Sequence, residues 1–311
     1  MSRLSGSERA IAVRALKHAI PYVRMFKRKV FVLKAGGEAF ATTESTRALM
    51  EQVGILHGVG VRVVVVHGGG PQSTELARAL GVSSQFIDGR RITDEGALEV
   101  ATMVLNGQIN TRILAACRDL EIPAVGISGV DAGLIKARRR PPVRRSGTTE
   151  ETVDYGFVGD IESVDASVLL KQLDNDLVPV VSPLSADESG TLLNINADTV
   201  AAAIAVALEA EKLILATGAA GILEAADDPR SVISYIDIAG LERLRDEGSL
   251  TAGMLPKAAA IEMALTGSVP RVHVISYEPH DSLLLEVFTN EGTGTLVVND
   301  IRNLTPAEQN T

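Results

Sequence analysis

Two rhythms of apolar residues alternate along this chain. Near the N-terminus, Val13, Leu16, Ile20 and Val23 recur at helical spacing, with Arg14, Lys17, Arg24 and Lys27 between or after them. Pro21 falls inside that pattern and is expected to kink or break the helix, because proline lacks a backbone donor and crowds the preceding turn. The run VFVLK, residues 30–34, then reads as a strand, and residues 43–57 as a helix. The next strand, VRVVVVH at 61–67, is β-branched and mostly apolar at every position. Such a run suits the middle of a sheet covered on both faces. Further helices are expected over 74–80, 94–106, 108–118, 197–208 and 255–265, and strands over 124–127, 178–182, 212–216 and 271–275. Strands alternating with helices imply βαβ units and a mainly parallel sheet, an α/β fold. The stretch ARRRPPVRRSGTTEET at 137–152 breaks the alternation. It is read as an exposed loop or hairpin arm whose arginines form a solvated face, with phosphate contact as the lesser reading.

Composition narrows the function classes. The 311 residues suffice for one large domain or two ordinary lobes, and 46% hydrophobic content supplies a core. Aromatics are 3% with no Trp, which disfavours a stacking surface for single-stranded nucleic acid. A formal net charge of -9 argues against duplex binding, which needs Lys and Arg to neutralise phosphates. It leaves room for a nucleotide enzyme with a local positive site. The single Cys117, among Leu114, Ala115, Ala116 and Leu120, is expected to be a buried apolar position and permits no intrachain disulfide. No apolar run is long enough to span a bilayer, and the N-terminus lacks a signal-peptide core. A soluble cytoplasmic protein with small-molecule partners, and neither nucleic acid nor membrane, is the expectation.

The candidate chemistry gathers at strand ends. Neither G-x-x-x-x-G-K-[ST] nor a strand-to-helix G-x-G-x-x-G is present. Instead, Gly36-Gly37 follows Lys34, and Gly68-Gly69-Gly70 follows His67. Ligands of parallel sheets bind outside the carboxyl ends of strands, and glycine turns there offer bare N–H groups to an anion. A glycine turn is also often only a turn; two of them, one with a lysine, favour phosphate. In NINADTVAAAIA, 194–205, a helix N-cap accounts for one of Asn194, Asn196 and Asp198 and leaves two spare. Lys257 sits near the start of a helix, against its dipole, so either solvent screens it or it has an anionic partner. Arg91, before Thr93-Asp94, either clamps a carboxylate or is merely solvated; both readings stand. No metal cluster of His and Cys appears, and no Ser-His-Asp arrangement can be argued. Two lysines, an aspartate and glycine turns suit phosphoryl transfer, which needs the moving group neutralised and held in line.

These motifs resemble those of the N-acetylglutamate kinases of the amino acid kinase family over nearly the whole chain. The matching segments, in order, are VLKAGGEA, VVVVHGGGPQ, GRRITD, MVLNGQIN, GISGVDAGLIKA, DYGFVGDI, LLNINADTVA, AEKLILATGAAGIL, AGMLPKAAA and EVFTNEGTGTLV. The resemblance implies a three-layer αβα sandwich with a mainly parallel open sheet. It implies transfer of the γ-phosphoryl of ATP to the side-chain carboxylate of N-acetyl-L-glutamate, with Mg²⁺ arriving on the nucleotide. Lys34 and Lys257 would stabilise the transferring group and Asp198 would orient them. Gly36, Gly37, Gly69 and Gly70 would give N–H groups to phosphate and substrate. Arg91 and Asn194 would hold acetylglutamate, and Thr217 and Gly218 would lie at the nucleotide. Residues 1–28 would be a helix for oligomerisation and regulation, and 29–311 the kinase domain, with an acetylglutamate lobe over about 29–193 and an ATP lobe over about 194–300. The helix and PHDSLLLEVFTNEGTGT, 279–295, resemble the arginine-sensitive members, which implies an L-arginine site near Tyr22, His280, Glu286 and Gly292 and a homo-oligomer, dimer or hexamer. The bland reading of that tail is a buried helix and an edge strand.

The chain departs from the family pattern at Ala35, usually larger; at Gly218, where relatives carry the aspartate of TDVxG; and at Val130, where the SGKDG-type loop carries lysine. A resemblance to the kinase-like domain of N-acetylglutamate synthases yields the alternative, a catalytically weak arginine-sensing subunit of the same fold.

Overall fold

The computed structural model describes residues 5–83, 85–87, 90–144, 152–225, 228, 230–250, 253–289 and 292–304. In chain order its principal elements are α1 (Gly6–Phe26), β1 (Val30–Ala35), α2 (Thr43–Gly58), β2 (Arg62–His67), α3 (Gly70–Ala79), α4 (Glu95–Thr102), α5 (Thr111–Asp119), β3 (Ala124–Ser128), α6 (Ala166–Asp174), β4 (Val178–Ser182), α7 (Ala197–Ala207), β5 (Lys212–Thr217), β6 (Tyr235–Asp237), α8 (Ile238–Asp246), α9 (Leu255–Thr266), β7 (Val272–Ser276), α10 (Ser282–Phe288) and β8 (Thr295–Val298). The eight strands form one sheet in the order β6-β8-β7-β5-β1-β2-β4-β3. Every pairing is parallel except β7 with β8.

Alternation along the central strands makes the three layers. Val32, Val64 and Val66 pack with Val200, Ala201 and Ile204 of α7 and Ala258 and Ile261 of α9. Phe31, Leu33, Val63 and Val65 pack oppositely, with Met50 and Val53 of α2 and Ile113 and Cys117 of α5. Successive residues of a strand point to opposite faces, so a β-branched run feeds both. Lys34 shares the face of Val32 and therefore points toward α7. The αβα sandwich is the architecture expected, and Cys117 is buried as expected.

Three expectations are corrected. α1 runs unbroken through Pro21. Most of it stands off the body, with Ile11, Val13 and Leu16 exposed, and the Lys17 carbonyl that Pro21 leaves without a donor lies on an exposed turn open to water. It is anchored by Phe26 against Phe31 at 5.1 Å and by Tyr22 against Phe288 at 6.4 Å. The two helices expected on either side of Gly107 are one helical run, widened to i→i+5 turns over Met103–Asn110. The widening brings Asn110 to the Val180 carbonyl at 2.9 Å and lets Asn106 accept from the Ser182 hydroxyl. β8 lies between β6 and β7, not at an edge. The arm at 137–152 is a hairpin arm, one of the two forms expected. Ile135–Arg139 belongs to a second sheet, ordered Leu192–Asn194, Leu184–Ala186, Ile135–Arg139, Gly159–Val164, and Val143–Arg144 pairs antiparallel with Thr152–Val153. Residues 145–151 lie outside the described residues. Arg138 and Arg139 are solvated in ion pairs with Glu162 and Asp154, while Arg140 is part-buried against Asp160 at 2.6 Å.

Two buried histidines pin the sheet. His67 Nδ1 donates to the Gly68 carbonyl at 3.2 Å, and its Nε2 accepts from Asn110 at 3.2 Å. His273 accepts at Nε2 from the Lys212 ammonium at 2.8 Å and donates from Nδ1 to Glu286 at 2.5 Å, which joins β5, β7 and α10. Burial holds both histidines neutral and lowers each to about 4; at His273 the Lys212 charge lowers it further and Glu286 opposes. Burial alone would raise the Glu286 carboxyl, but the His273 hydrogen bond, the Thr293 N–H and the Lys212 charge outweigh it and bring it down to about 2.

A histidine lowered on folding stabilises the fold fully above its unfolded value of about 6.5, and loses that contribution as pH falls toward the folded value. Thermal unfolding midpoints should therefore begin to drop below about pH 6.5 and keep dropping to about pH 4, by up to roughly 3 kcal/mol per histidine. His273→Gln, uncharged throughout, should flatten part of that slope; an unchanged slope in the variant refutes the assignment.

Candidate functional site

The carboxyl ends of β1 and β2 stand level, with Ala35 opposite His67. Each strand runs into a glycine turn, and the Gly68 N–H donates to the Ala35 carbonyl at 2.9 Å, tying one turn to the other. A Cβ on Gly37 would come 2.9 Å from the Gly69 Cα and 2.4 Å from Gln72 Oε1, so only glycine permits this approach. Gln72 locks the pair by donating to the Gly37 carbonyl at 2.6 Å. The N–H groups of Gly36 and Gly69 have no acceptor among the described residues. Bare donors at a strand end are suited to receive an anion.

Opposite the turns, α7 starts at the N-cap Asn196, whose side chain accepts from the N–H groups of Asp198 at 2.9 Å and Thr199 at 3.1 Å. That cap uses one polar residue of NINAD and aims the next, Asp198, into the sheet end. Asp198 Oδ1 lies 2.8 Å from the Lys34 ammonium, and Oδ2 lies 3.7 Å from that of Lys257 in the first turn of α9. The Lys34 contact is an ion pair whose angle falls short of a hydrogen bond, which leaves Oδ1 with acceptor capacity to spare. Side-chain exposure is 7% for Lys34, 6% for Asp198 and 20% for Lys257, so all three are largely shielded from water. Burial lowers the pKa of Lys257; the Asp198 charge opposes this, Lys34 adds to it, and Glu38 opposes it. Two ammonium groups on one carboxylate leave surplus positive charge in a place where unpaired charge is costly. An incoming anion relieves it.

The cluster opens into a cleft of about 580 Å³ lined by Lys34, Gly69, Gly70, Arg91, Asn194 and Asp198, with Glu38 and Arg140 also on its walls. Arg91 donates to the Thr74 hydroxyl at 2.6 Å, and its guanidinium lies 4.6 Å over the Phe86 ring. Gly68 and Asn196 line it too, whereas Gly36, Gly37, Thr217, Gly218 and Lys257 do not. Gly36 and Gly37 form the turn beneath it. Thr217 ends β5, the strand beside β1, and Gly218 follows it; the Thr217 hydroxyl bonds to Ala219, and its carbonyl accepts from the Tyr277 N–H at 3.0 Å. Glu286 and Gly292 meet elsewhere: a Cβ on Gly292, at φ +60°, would stand 3.1 Å from Glu286 Oε2. Tyr22 touches Phe288 of the same helix, and His280 lines a separate cavity of about 360 Å³ with Tyr277 and Glu278.

Sequence reasoning passed over Gln72, Glu38, His67 and Asn110. Glu38, a charge right behind the lysine and its glycines, was the one with a visible signal. Among the described residues, no group of three His, Cys, Asp or Glu could hold a metal ion. The two lining carboxylates are Asp198, already engaged by ammonium groups, and Glu38. This donor set fits a divalent ion carried in on a polyphosphate rather than a resident one.

The amino acid kinase family matches residues 29–276, a span that holds Lys34, Asp198 and Lys257. The chain is 47% identical to the acetylglutamate kinase of Myxococcus xanthus over 92% of this chain and 94% of that protein. The fold is similar to that of N-acetylglutamate synthase from Neisseria gonorrhoeae complexed with coenzyme A and N-acetyl-glutamate, with a TM-score of 0.80 and 27% identity over 93% of this chain. The same synthase complexed with coenzyme A and L-arginine has a TM-score of 0.79 at 26% identity. This chain spans 63% and 65% of those two synthase chains, less than two thirds of each. The fold, the shielded pair of lysines on one aspartate and the extent of these matches agree: the chain belongs to the amino acid kinase family.

Proposed function

We propose that this chain transfers the γ-phosphoryl group of ATP to the side-chain carboxylate of N-acetyl-L-glutamate, forming N-acetyl-L-glutamyl 5-phosphate. The observation that carries the reading is the shielded Lys34–Asp198–Lys257 cluster beneath two glycine turns with bare N–H groups. Transfer between two anions concentrates negative charge at the moving group, and a preorganised positive pair stabilises that charge more than the ground state. Lys34 and Lys257 take this role, and Asp198 holds both ammonium groups in place. Gly69 and Gly70, with Arg91 and Asn194 on the cleft wall, receive acetylglutamate, Arg91 through its α-carboxylate. Gly36 and Gly37, and Thr217 and Gly218 on the next strand, stand on the nucleotide side. Mg²⁺ comes with ATP and is held mainly by its phosphates and water. The lobe division near 193/194 belongs to the same reading, because the cleft draws its walls from both sides of that point.

L-arginine is the proposed effector, bound near Tyr22, His280, Glu286 and Gly292, and a homo-oligomer, dimer or hexamer, is proposed through α1, whose Ile11, Val13 and Leu16 are exposed. A cytoplasmic setting follows from the same reading. The intact lysines and aspartate weigh against a catalytically weak arginine-sensing subunit.

ADP release coupled to acetylglutamate phosphorylation, with and without arginine, tests the whole reading. Turnover is expected with acetylglutamate ahead of glutamate and aspartate, and less turnover with arginine. No turnover at saturating ATP, together with arginine binding, would sink the kinase reading. Lys34→Ala should lower kcat by about 10²- to 10³-fold with little change in KM, as expected for a charge that acts in the transition state; full kcat in that variant refutes its role. Arg91→Ala should instead raise the KM for acetylglutamate by about tenfold or more, the loss of a charge-assisted contact, while the KM for ATP holds.

A further inference from the structure

Glu38 has no part in the chemistry described so far, yet it lies in the middle of it. It is exposed to the cleft, and its carboxylate makes no hydrogen bond or ion pair among the described residues. Its carboxylate is folded back over the first glycine turn, where a Cβ on Gly36 would meet Glu38 Oε2 at 2.5 Å. The Gly36 N–H in that turn has no acceptor among the described residues. The Glu38 charge also acts on the Lys257 ammonium and the Tyr277 phenol. An acid in the first turn of a short helix needs no explanation by itself. One that lies on the glycine turn meant for phosphate does, because it brings a like charge to the very place the phosphate must occupy.

We propose that Glu38 is a specificity-determining residue for the nucleotide: its carboxylate stands over the Gly36 turn as an internal anion and excludes a polyphosphate that does not carry a divalent cation. The inference rests on the kinase reading above and adds to it the form of nucleotide the site accepts. Metal-free nucleotide brings its full negative charge against Glu38, and Lys34 and Lys257 cannot offset this fully because Asp198 already engages both. Metal-loaded nucleotide brings a cation that a carboxylate can face, directly or through water. The repulsion then becomes attraction with no other change in the site. Asp198 cannot serve this purpose, since two ammonium groups hold it.

The test is equilibrium titration of the full chain with ADP, followed by calorimetry, once in EDTA and once in excess Mg²⁺. Wild type should bind metal-loaded ADP much more tightly than metal-free ADP. Glu38→Gln should bind metal-free ADP about tenfold more tightly than wild type, the scale of one unit charge removed at short range in a partly wet site, and its gain from Mg²⁺ should shrink by a similar factor. Glu38→Asp, which keeps the charge, should retain most of the Mg²⁺ dependence. Glu38→Ala serves as a second neutral variant, and melting temperatures confirm that each is folded. A side chain that only shapes the turn would alter both affinities alike. An unchanged ratio of metal-loaded to metal-free affinity in the neutral variants overturns the role of Glu38 while leaving the kinase reading intact. Failure of wild type to bind ADP under either condition overturns both.

Discussion

A single buried carboxylate between two ammonium groups organises this protein. Asp198 is held by Lys34 from the central strand and by Lys257 from a separate helix. Three charges withdrawn from water are tolerable only when they are matched, and here they are matched incompletely. That imbalance is useful. A fully neutral cluster would be inert, whereas a cluster with surplus positive charge binds an anion strongly and binds it best when negative charge is most concentrated. The rest of the fold secures the arrangement. Alternation along β1 turns Lys34 toward α7, the Asn196 cap aims Asp198 inward, and packing of α7 against α9 brings Lys257 within reach.

The glycine turns are shaped from beneath by polar groups that never reach the cleft. Gln72 locks the first turn, and His67, kept neutral by burial, holds the carbonyl of the second. Asn110 supports His67 from the widened helix, which positions two asparagines four residues apart against the ends of β2 and β4. Widened turns are tolerated where such contacts compensate their poorer geometry. The substrate-facing surface is therefore mostly backbone, and the side chains that decide its shape are buried behind it. The chain from Lys212 through His273 to Glu286 performs a similar service at the other side of the sheet, where it fastens α10 to β5 and β7.

Much of the fold was legible because burial on two faces writes itself into composition. The central strands could be read directly, since a strand covered on both sides must be apolar throughout. The second sheet was missed for the opposite reason: Ile135–Arg139 buries only Ile135 and Ala137 and carries charges between and after them, so it reads as a polar arm. The helical run around Met103–Asn110 was read as two helices, 94–106 and 108–118, because the contacts that sustain its widened turns come from strands far away in sequence. Pro21 left α1 unbroken, because the Lys17 carbonyl it deprives of a donor lies on an exposed turn where water can serve it.

By itself, then, the sequence determined the central strands, the glycine turns at their ends and the residue types that suit phosphoryl transfer, because local sterics and the need to bury apolar surface act through neighbours in the chain. It raised the question of what Lys257 and the spare polar residues of NINAD were for, and could only pose it. The tertiary structure decided that Lys34, Asp198 and Lys257 are one cluster, that Gly37 must be glycine because Gly69 lies against it, and that Glu38 folds over the turn behind the lysine. These are contacts between segments more than two hundred residues apart, as Lys34 and Lys257 are. Nothing local encodes them; they follow from which faces the sheet makes its helices share.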